Sequence, residues 1–315
     1  MPFIRSISGI RATIEDSFSE EIIKNYVLGF ISYLPPGPIT LGRDGRPSGT
    51  YIEKIITDTI TSYGRDVYNL GIVPTPTIQL FVEKTDSAGG IAITASHNPA
   101  QWNGMKFINN NGVFLDKEEN NKFWEIVDNG SFTLPGISNK KNKIQYENGI
   151  DKHINSILEL PIFTDTDSKE KLIIRNFKVI VDAVNASGSI AVPKLLEKLG
   201  CDIIPLYCDG TGIFPHTPEP LPENLTELAK AVKNHNADIG IAVDPDADRL
   251  VLIDEKGIPV FEEYTIVLAV EAVLGSRKLF KTNDSSVVIN YSTTRAVEDI
   301  ALKYNAKCYR SAVGE

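Results

Sequence analysis

Short apolar runs alternate with segments of helical spacing along most of this chain, and that alternation constrains the fold more than any other feature. The runs Gly90–Thr94 and Ala237–Val243 have the length and apolar content of buried strands, and polar residues follow each of them. Between such runs, Tyr51–Tyr63 places isoleucines near one face of a helix. Strands and helices that alternate in this way predict an α/β fold.

The strand–helix–strand pattern starts three times along the 315 residues. The second start is the apolar run Phe177–Asp182, and the third comes after Gly257. We therefore predict three α/β domains, which comprise residues 1–150, 151–256 and 257–315.

Composition excludes several classes of protein. The net charge of −9 and the lack of a basic stripe argue against a nucleic-acid partner, which would require phosphate neutralisation. The 42% hydrophobic content excludes a disordered acidic chain. Three scattered cysteines favour free thiols in a reducing compartment, and no apolar run reaches the roughly 18 to 20 residues of a membrane span. We expect a cytoplasmic protein without a membrane or nucleic-acid partner.

Ligands of α/β sheets bind beyond the carboxyl ends of strands, so the polar loops that follow the strands are the places to search. The loop Thr94–Pro99 presents Ser96 and His97 side by side after a predicted strand. A serine needs a neighbouring base or a metal to act as a nucleophile, and no G-x-S-x-G sequence surrounds this one. A plain serine turn with a surface histidine explains the same residues.

A second loop is acidic. Asp244, Asp246 and Asp248 alternate directly after the strand that ends at Val243. Three carboxylates that converge repel each other unless a hard cation neutralises them, and Mg²⁺ prefers such oxygen ligands. An EF-hand would use Glu255 as its twelfth residue but requires glycine where Arg249 stands, and a helix before the loop. A solvated charge run is the remaining alternative.

Taken together, the two loops resemble those of the α-D-phosphohexomutase family, which includes phosphoglucomutase, phosphomannomutase and phosphoglucosamine mutase. The resemblance rests on Thr94–Pro99, followed by Asn103–Lys106, and on Asp244–Arg249, in this order and at this separation. It extends over essentially the whole chain through four shorter matches. These are Ser8–Arg11, Gly42–Arg46, Gly71–Pro76 and Pro222–Leu225.

The resemblance implies successive mixed-sheet α/β domains around a central cleft. It implies that Ser96 carries the transferable phosphate and that the three aspartates, with an oxygen of that phosphate, hold Mg²⁺. Arg249 would lie next to the phosphoserine. Arg11 and Lys106 would line the cleft and assist proton transfer or stabilise charge, and His97 would lie near the reacting hydroxyls.

The implied reaction shifts phosphate between C1 and C6 of a hexose phosphate, through phosphorylated Ser96 and a bisphosphorylated sugar. A glucose 1,6-bisphosphate-type activator is implied as well. Which hexose is used, and which oligomer forms, cannot be read from the sequence.

Two departures from the family pattern bear on function. Family members have four domains, whereas residues 257–315 match only an incomplete third domain, and the fourth, phosphate-binding domain has no counterpart. The amino-acid sequence of Arg46–Thr50 matches the phosphate-binding loop of that fourth domain, but its position in the first domain indicates an ordinary turn. We therefore expect the N-terminal portion of a longer enzyme, able to accept phosphate on Ser96 but slow in turnover.

Two other functions compete with the mutase. The first is a catalytically impaired phosphosugar-binding or regulatory protein that retains the Mg²⁺ and phosphoserine site. The second is a Mg²⁺-dependent phosphatase with Asp244 as the nucleophile, which would have no use for the serine loop.

Overall fold

The computed structural model describes residues 3–14, 17–134, 142–164, 175–276 and 285–313. Residues 277–284 and 314–315 of the third predicted domain therefore lie outside the described residues. Within the described stretches, no helix combines the length and apolarity needed to cross a bilayer.

The first part of the chain forms a mixed seven-stranded sheet. Its strands are β1 Ile4–Ser6, β2 Gly9–Thr13, β3 Ile39–Arg43, β4 Val67–Ile72, β5 Gly89–Ile93, β6 Trp102–Ile108 and β7 Ile144–Tyr146. They lie in the order β1-β2-β6-β5-β3-β4-β7. Strands β3, β4, β5 and β7 are parallel, and β6 pairs antiparallel with both β5 and β2.

Helices cover both faces of this sheet. They are α1 Glu20–Tyr33, α2 Gly49–Ser62, α3 Thr75–Glu83, α4 Lys117–Asn129, α5 Gly149–Leu158 and the short α6 Pro161–Thr164. On one face Ile91 and Ile93 pack in a core with residues of α1, α2 and α4, whereas Ala92 between them packs with α3 on the other face. The alternation follows from the two-residue period of a strand, and it explains why β5 is buried throughout.

A second mixed sheet follows, with the strand order β12-β11-β10-β8-β9. Its strands are β8 Lys178–Asp182, β9 Asp202–Tyr207, β10 Ile239–Val243, β11 Leu250–Ile253 and β12 Pro259–Val260. The accompanying helices are α7 Gly188–Lys198, a 3₁₀ turn Pro222–Asn224 and α8 Thr226–His235. Strand β10 is parallel to β8 but antiparallel to β11, so the acidic loop is the connection of a hairpin.

The last part is smaller. Its described elements are α9 Glu262–Gly275, β13 Ser286–Asn290, α10 Ala296–Lys303 and β14 Lys307–Ser311. The two strands pair in parallel, and Val267, Ile289 and Val297 form the centre of a small core. The predicted α/β fold with successive mixed sheets is confirmed for the two larger sheets, while the described strands of the third are parallel.

Candidate active site

The serine loop begins directly after β5 and buries its hydroxyl group. Ser96 is only 3% exposed, and its backbone adopts the left-handed conformation with φ of 51°. The hydroxyl of Thr94 accepts a hydrogen bond from the Ser96 amide at 2.8 Å, as in a serine or threonine turn. The Thr94 side chain makes this turn, and the Ser96 side chain is directed inward and not toward solvent.

The acidic loop between β10 and β11 gathers its three carboxylates. Asp244, Asp246 and Asp248 each place one oxygen within 4.8 Å of the others. Ala247 has a φ of 51°, and its amide donates to the carbonyl of Asp244 at 2.9 Å, which closes a turn that contains Asp246. Backbone amides of Asp248 and Arg249 donate to Asp244 Oδ1 at 3.1 and 3.2 Å, which fixes the first carboxylate against its own loop.

The two loops meet, although they belong to different sheets. The Ser96 hydroxyl donates to Asp244 Oδ2 at 3.1 Å and lies 3.3 Å from Nδ1 of His97. Lys106, on β6, donates from Nζ to Asp246 and Asp248 at 2.8 Å each. The structure thus brings together a serine, a histidine, a lysine and three aspartates that the sequence had proposed for one site.

Burial and charge perturb these groups in opposite directions. Burial raises the pKa of Asp244 well above its usual range, and the neighbouring carboxylates of Asp246 and Asp248 raise it further. For Asp246 burial acts in the same direction, but Lys106 outweighs it and lowers the pKa. The pKa of Lys106 is raised, because these two carboxylates outweigh the effect of burial. Lys106 therefore places a positive charge against two carboxylates of the acidic loop.

The donor set fits a divalent cation such as Mg²⁺. Oxygen ligands from three carboxylates are what that hard ion prefers. Oδ1 of Asp246 is buried and has no hydrogen-bond partner among the described residues, a costly state for a carboxylate oxygen. A cation bound by the loop would satisfy this oxygen.

His97 and Arg249 lie at the rim of the site. The imidazole Nε2 of His97 is 3.8 Å from Glu219 Oε1, and Nη1 of Arg249 is 3.9 Å from the same oxygen. Burial lowers the pKa of His97, and the positive charges of Arg249 and Arg11 lower it further, so the ring is neutral at pH 7. Arg249 is 41% exposed, and its guanidinium makes no hydrogen bond with Ser96 in the described structure.

Arg11, on β2, reaches the serine loop from the side. Its Nη1 donates to the Asn98 side chain at 3.3 Å, while its Nε is buried without a partner among the described residues. The sequence-based expectation placed Arg11 on the cleft. In the structure it contacts the loop of Ser96.

Three further residues hold the site, and the sequence did not identify them. Thr75 at the start of α3 donates from its hydroxyl to Asp246 Oδ2 at 2.8 Å. Glu219 faces both His97 and Arg249. Arg46 binds the backbone of the serine loop. The one available signal was that Thr75 and Arg46 lie inside the short matches Gly71–Pro76 and Gly42–Arg46.

An open cleft of about 560 Å³ adjoins the acidic loop. Asp248 and Arg249 line one side, and the hydroxyl-bearing loop Ser292–Thr294, which follows β13, lines another. The guanidinium of Arg310 holds that loop by donating to the carbonyls of Asn290 and Thr293, each at 3.1 Å. The cleft therefore extends from the acidic loop to the last α/β part of the chain.

The fold and this site define a class of protein in which one α/β part places a buried serine against the acidic, metal-type loop of the next. An open cleft lies between that loop and the hydroxyl groups of a third part. Two family models match the chain: "Phosphoglucomutase/phosphomannomutase, alpha/beta/alpha domain I" over residues 4–134, and "domain II" of the same family over residues 151–257. The chain belongs to the α-D-phosphohexomutase family.

Individual relatives agree with the family match. A protein of Methanopyrus kandleri named "Probable phosphoglucosamine mutase" is 30% identical over 309 residues, which is 98% of this chain and 65% of that protein. A "Phosphoglucomutase/phosphomannomutase" of Thermococcus kodakarensis is 34% identical over 278 residues, which is 88% of this chain and 58% of that protein. The chain thus spans slightly less than two thirds of the length of these relatives.

Solved structures show the same fold. The crystal structure of a phosphoglucomutase/phosphomannomutase family protein from Burkholderia thailandensis superposes with a TM-score of 0.80 at 23% identity, over 99% of this chain and 67% of that one. The open form of the Paramecium phosphoglucomutase pp63/parafusin gives 0.80 at 19% identity, over 98% of this chain and 62% of that one.

Proposed function

We propose that this chain supplies the phosphoserine and metal-binding parts of a hexose-phosphate mutase. One observation carries the proposal: the Ser96 hydroxyl of one sheet lies 3.1 Å from Asp244 Oδ2 in the acidic loop of another. A hydroxyl beside a group of carboxylates suits a serine whose phosphate shares a divalent cation with those carboxylates.

Asp244, Asp246 and Asp248 would hold Mg²⁺, together with an oxygen of the phosphate on Ser96. The ion, when bound, supplies positive charge to the transferring phosphoryl group. The transition state of phosphoryl transfer makes little covalent demand on the protein, so positioning and charge supply most of the rate. Lys106 adds a fixed positive charge on the same loop.

In the forward half-reaction a sugar hydroxyl attacks the phosphorus of phospho-Ser96, the P–Oγ bond breaks, and the sugar becomes bisphosphorylated. The attacking hydroxyl loses a proton and Oγ gains one. His97 is suited to this exchange, because its ring is neutral at pH 7 and its Nδ1 lies 3.3 Å from Oγ. In the second half-reaction the other phosphate of the sugar returns to Ser96.

The substrate is a hexose phosphate, and the phosphate donor that primes Ser96 is a glucose 1,6-bisphosphate-type activator. The names of the relatives, which include phosphoglucosamine mutase and phosphoglucomutase/phosphomannomutase, support this class of ligand. The cleft between Arg249 and the hydroxyls of Ser292–Thr294 offers a cation for phosphate and partners for sugar hydroxyls.

The environment of Asp244 disfavours a phosphatase with this residue as nucleophile. The side chain is fully buried, Oδ1 accepts two backbone amides, and Oδ2 accepts the Ser96 hydroxyl. Asp244 would have to release the Ser96 hydroxyl in order to attack phosphorus, and such a phosphatase has no use for that serine.

Incubation with Mg²⁺ and glucose 1,6-bisphosphate, followed by mass spectrometry of peptides, tests the proposal. We expect one phosphate on Ser96 in the unchanged chain and none at this position in Ser96→Ala. Asp246→Asn should reduce Mg²⁺ affinity by about 10- to 100-fold or more. Replacing a residue that merely hydrogen-bonds to a metal ligand already causes a loss of this size. Asp238→Asn, at the opposite end of β10, is the matched control and should keep both properties.

The outcomes separate the competing functions. Absence of phosphate on Ser96 would contradict the mutase proposal. Phosphate on Ser96 without conversion of any hexose phosphate would favour the phosphosugar-binding or regulatory function, and release of inorganic phosphate that survives Ser96→Ala would favour the phosphatase.

A further inference from the structure

Arg46 is a fully buried arginine directly beside the serine loop, in the turn after β3. Its Nη2 donates to the carbonyl of Ser96 at 2.8 Å and also to the carbonyl of Asn98. Its Nη1 pairs with Asp44, whose backbone follows the same strand. Residues 46–48 precede α2, whereas Gly49 and Thr50, the end of the turn expected from the sequence, already belong to that helix.

The two hydrogen bonds from Arg46 to backbone carbonyls stabilise an unfavourable backbone conformation. Ser96 has a φ of 51°, and a non-glycine residue in this left-handed region costs roughly 1–2 kcal/mol. Such conformations persist when the surroundings over-determine them. One guanidinium fork that binds the carbonyls on both sides of His97 fixes the loop in this conformation, with the Ser96 hydroxyl directed at Asp244.

Asp44 extends the same network to the other side of the loop. Its Oδ2 accepts the Thr94 hydroxyl at 2.7 Å, and the oxygen of that hydroxyl in turn accepts the Ser96 amide at 2.8 Å. The carboxylate also neutralises Arg46, without which a buried guanidinium charge would be costly. Ser96 is thus held at its amide through Thr94 and at its carbonyl through Arg46.

The guanidinium also contacts the part of the chain that carries the acidic loop. The ring of Phe214 lies 5.0 Å from Cζ of Arg46, a cation–π contact. Phe214 lies in the loop between β9 and α8, on the second sheet. Arg46 therefore touches both partners of the site: the backbone of the serine loop and a loop of the sheet that bears the aspartates.

We propose that Arg46 is a positioning residue for phosphoryl transfer, which holds the Ser96 hydroxyl toward the acidic loop without touching substrate or metal. The proposal rests on the function proposed above for Ser96 and adds to it the residue that sets the geometry. Lysine cannot replace arginine in this role, because an ammonium can neutralise Asp44 but lacks the planar fork that serves two carbonyls and a carboxylate together.

The test compares Arg46→Lys with the unchanged chain in two measurements. One is the rate at which Ser96 acquires phosphate from glucose 1,6-bisphosphate in saturating Mg²⁺, and the other is Mg²⁺ affinity by calorimetry. We expect the rate to fall roughly 10²-fold, the effect of a misplacement of about 1 Å. Mg²⁺ affinity should stay within twofold, because the aspartates belong to another loop and make no bond to Arg46.

Arg65→Lys is the matched control. Arg65 also donates to a backbone carbonyl, that of Leu34, at 3.0 Å, but it lies just before β4, at the end of the sheet opposite to Ser96. The control should phosphorylate at the unchanged rate. Equal rates in Arg46→Lys and Arg65→Lys would overturn the proposal, and so would a loss of Mg²⁺ affinity in Arg46→Lys as large as the loss of rate.

A second variant covers the case in which Arg46→Lys does not fold, as judged by its thermal transition. Thr94→Val removes only the hydroxyl that links Asp44 to the Ser96 amide, and it preserves volume. It should slow phosphorylation at unchanged Mg²⁺ affinity, and an unchanged rate would refute the network. If the unchanged chain itself acquires no phosphate, the proposed function fails first and the role of Arg46 fails with it. If it does and the variants match it, only the role of Arg46 fails.

Discussion

At the scale of single residues, Asp244 and Asp246 of one loop have different surroundings, and this difference explains why their pKa values shift in opposite directions. Asp244 accepts hydrogen bonds from two backbone amides and the Ser96 hydroxyl, and it faces the carboxyl groups of Asp246 and Asp248. Asp246 accepts the Lys106 ammonium and the Thr75 hydroxyl. Burial raises the pKa of Asp244 and the two neighbouring carboxylates raise it further, whereas the Lys106 ammonium outweighs burial and lowers the pKa of Asp246.

His216 is another residue whose charge depends on its partners. Nε2 lies 3.0 Å from Asp182 Oδ2 and Nδ1 lies 2.8 Å from the carbonyl of Thr217, so both ring nitrogens face acceptors. Only the doubly protonated ring can donate to both. Burial alone would lower the pKa of His216, but the hydrogen bond and charge of Asp182 outweigh it and raise the pKa above its usual value.

This raised pKa predicts a pH-dependent contribution to stability. The folded state binds the proton more tightly than the unfolded state, so the contribution is complete below about pH 6.5 and is lost as the pH rises through the folded pKa. We expect His216→Gln to lower the melting temperature by a few degrees at pH 6 and by less at pH 8.5. His235→Gln, at an exposed position, is the control. An equal deficit at both pH values would show that the ring acts by packing alone.

The sequence predicted the aspartate triad and Ser96 because a local signal identified them: alternating carboxylates and a small-residue loop, each after an apolar run. The residues that orient them carry no such signal. Thr75 and Arg46 lie on other segments of the chain, and they reach the site only when parallel strands align their ends. Partners that depend on tertiary contact cannot be derived from local pattern.

At the scale of elements, the strands and helices with a clear local sequence pattern were predicted, and those that depend on tertiary contacts were not. The apolar runs that became β5 and β10, and the helix α2 predicted as Tyr51–Tyr63, are present within about two residues of the expected bounds. Strand β6 was not predicted, although Asn103–Lys106 within it is part of the resemblance to the family. Its sequence, Trp102–Ile108, mixes asparagine, glycine and lysine with apolar residues and has no clean two-residue period. Only its position between β2 and β5, where both neighbours pair with it, makes it a strand.

Loops also join the two larger sheets, and one glycine makes the closest approach possible. Gly212 has a φ of 71°, and a Cβ atom there would lie 2.0 Å from the carbonyl oxygen of Gly45. Gly45 belongs to the turn of Arg46, so this contact brings Phe214 over the guanidinium. A backbone oxygen cannot move aside as a flexible side chain could, so the contact tolerates no side chain.

We therefore predict that Gly212→Ala destabilises the chain more than its backbone conformation alone requires. Gly71→Ala is the matched control, because Gly71 has a φ of 68° and nothing lies within 4 Å of its added Cβ. The control should lose about 1–2 kcal/mol from the left-handed conformation. Gly212→Ala should lose a further 1–3 kcal/mol from overpacking, measured as the free energy of unfolding in urea. Equal losses would mean that the two loops separate without cost.

At the scale of the whole molecule, the contacts between the serine side and the acidic side of the site are polar. Ser96, Thr75 and Lys106 of the first sheet and its helices all bond to aspartates of the second. Hydrophobic cores, by contrast, stay within each sheet and its helices. The parts of the molecule are thus held together at the site by polar contacts with the aspartates, and a bound cation would change those contacts.

Lys106 makes this dependence measurable, because its ammonium neutralises the carboxylates that would ligate Mg²⁺. Replacing it with methionine keeps the length of the side chain but leaves Asp246 and Asp248 without their cation. Removing one partner of a buried ion pair costs about 3–5 kcal/mol. A divalent ion that binds only the folded state returns stability in proportion to its affinity, and that affinity should rise once the competing ammonium is gone.

In the absence of Mg²⁺, we therefore expect Lys106→Met to unfold at a lower urea concentration than the unchanged chain. In millimolar Mg²⁺, the difference between the two unfolding midpoints should narrow. Lys122→Met is the control, because it removes an exposed lysine that pairs with Glu118. This variant should unfold at the same urea concentration as the unchanged chain, both with and without Mg²⁺. A gap that stays constant with and without Mg²⁺ would mean that the ion does not use the carboxylates that Lys106 contacts. The metal site would then lie away from Asp246 and Asp248, and Lys106 would stabilise the contact between the two sheets independently of the ion.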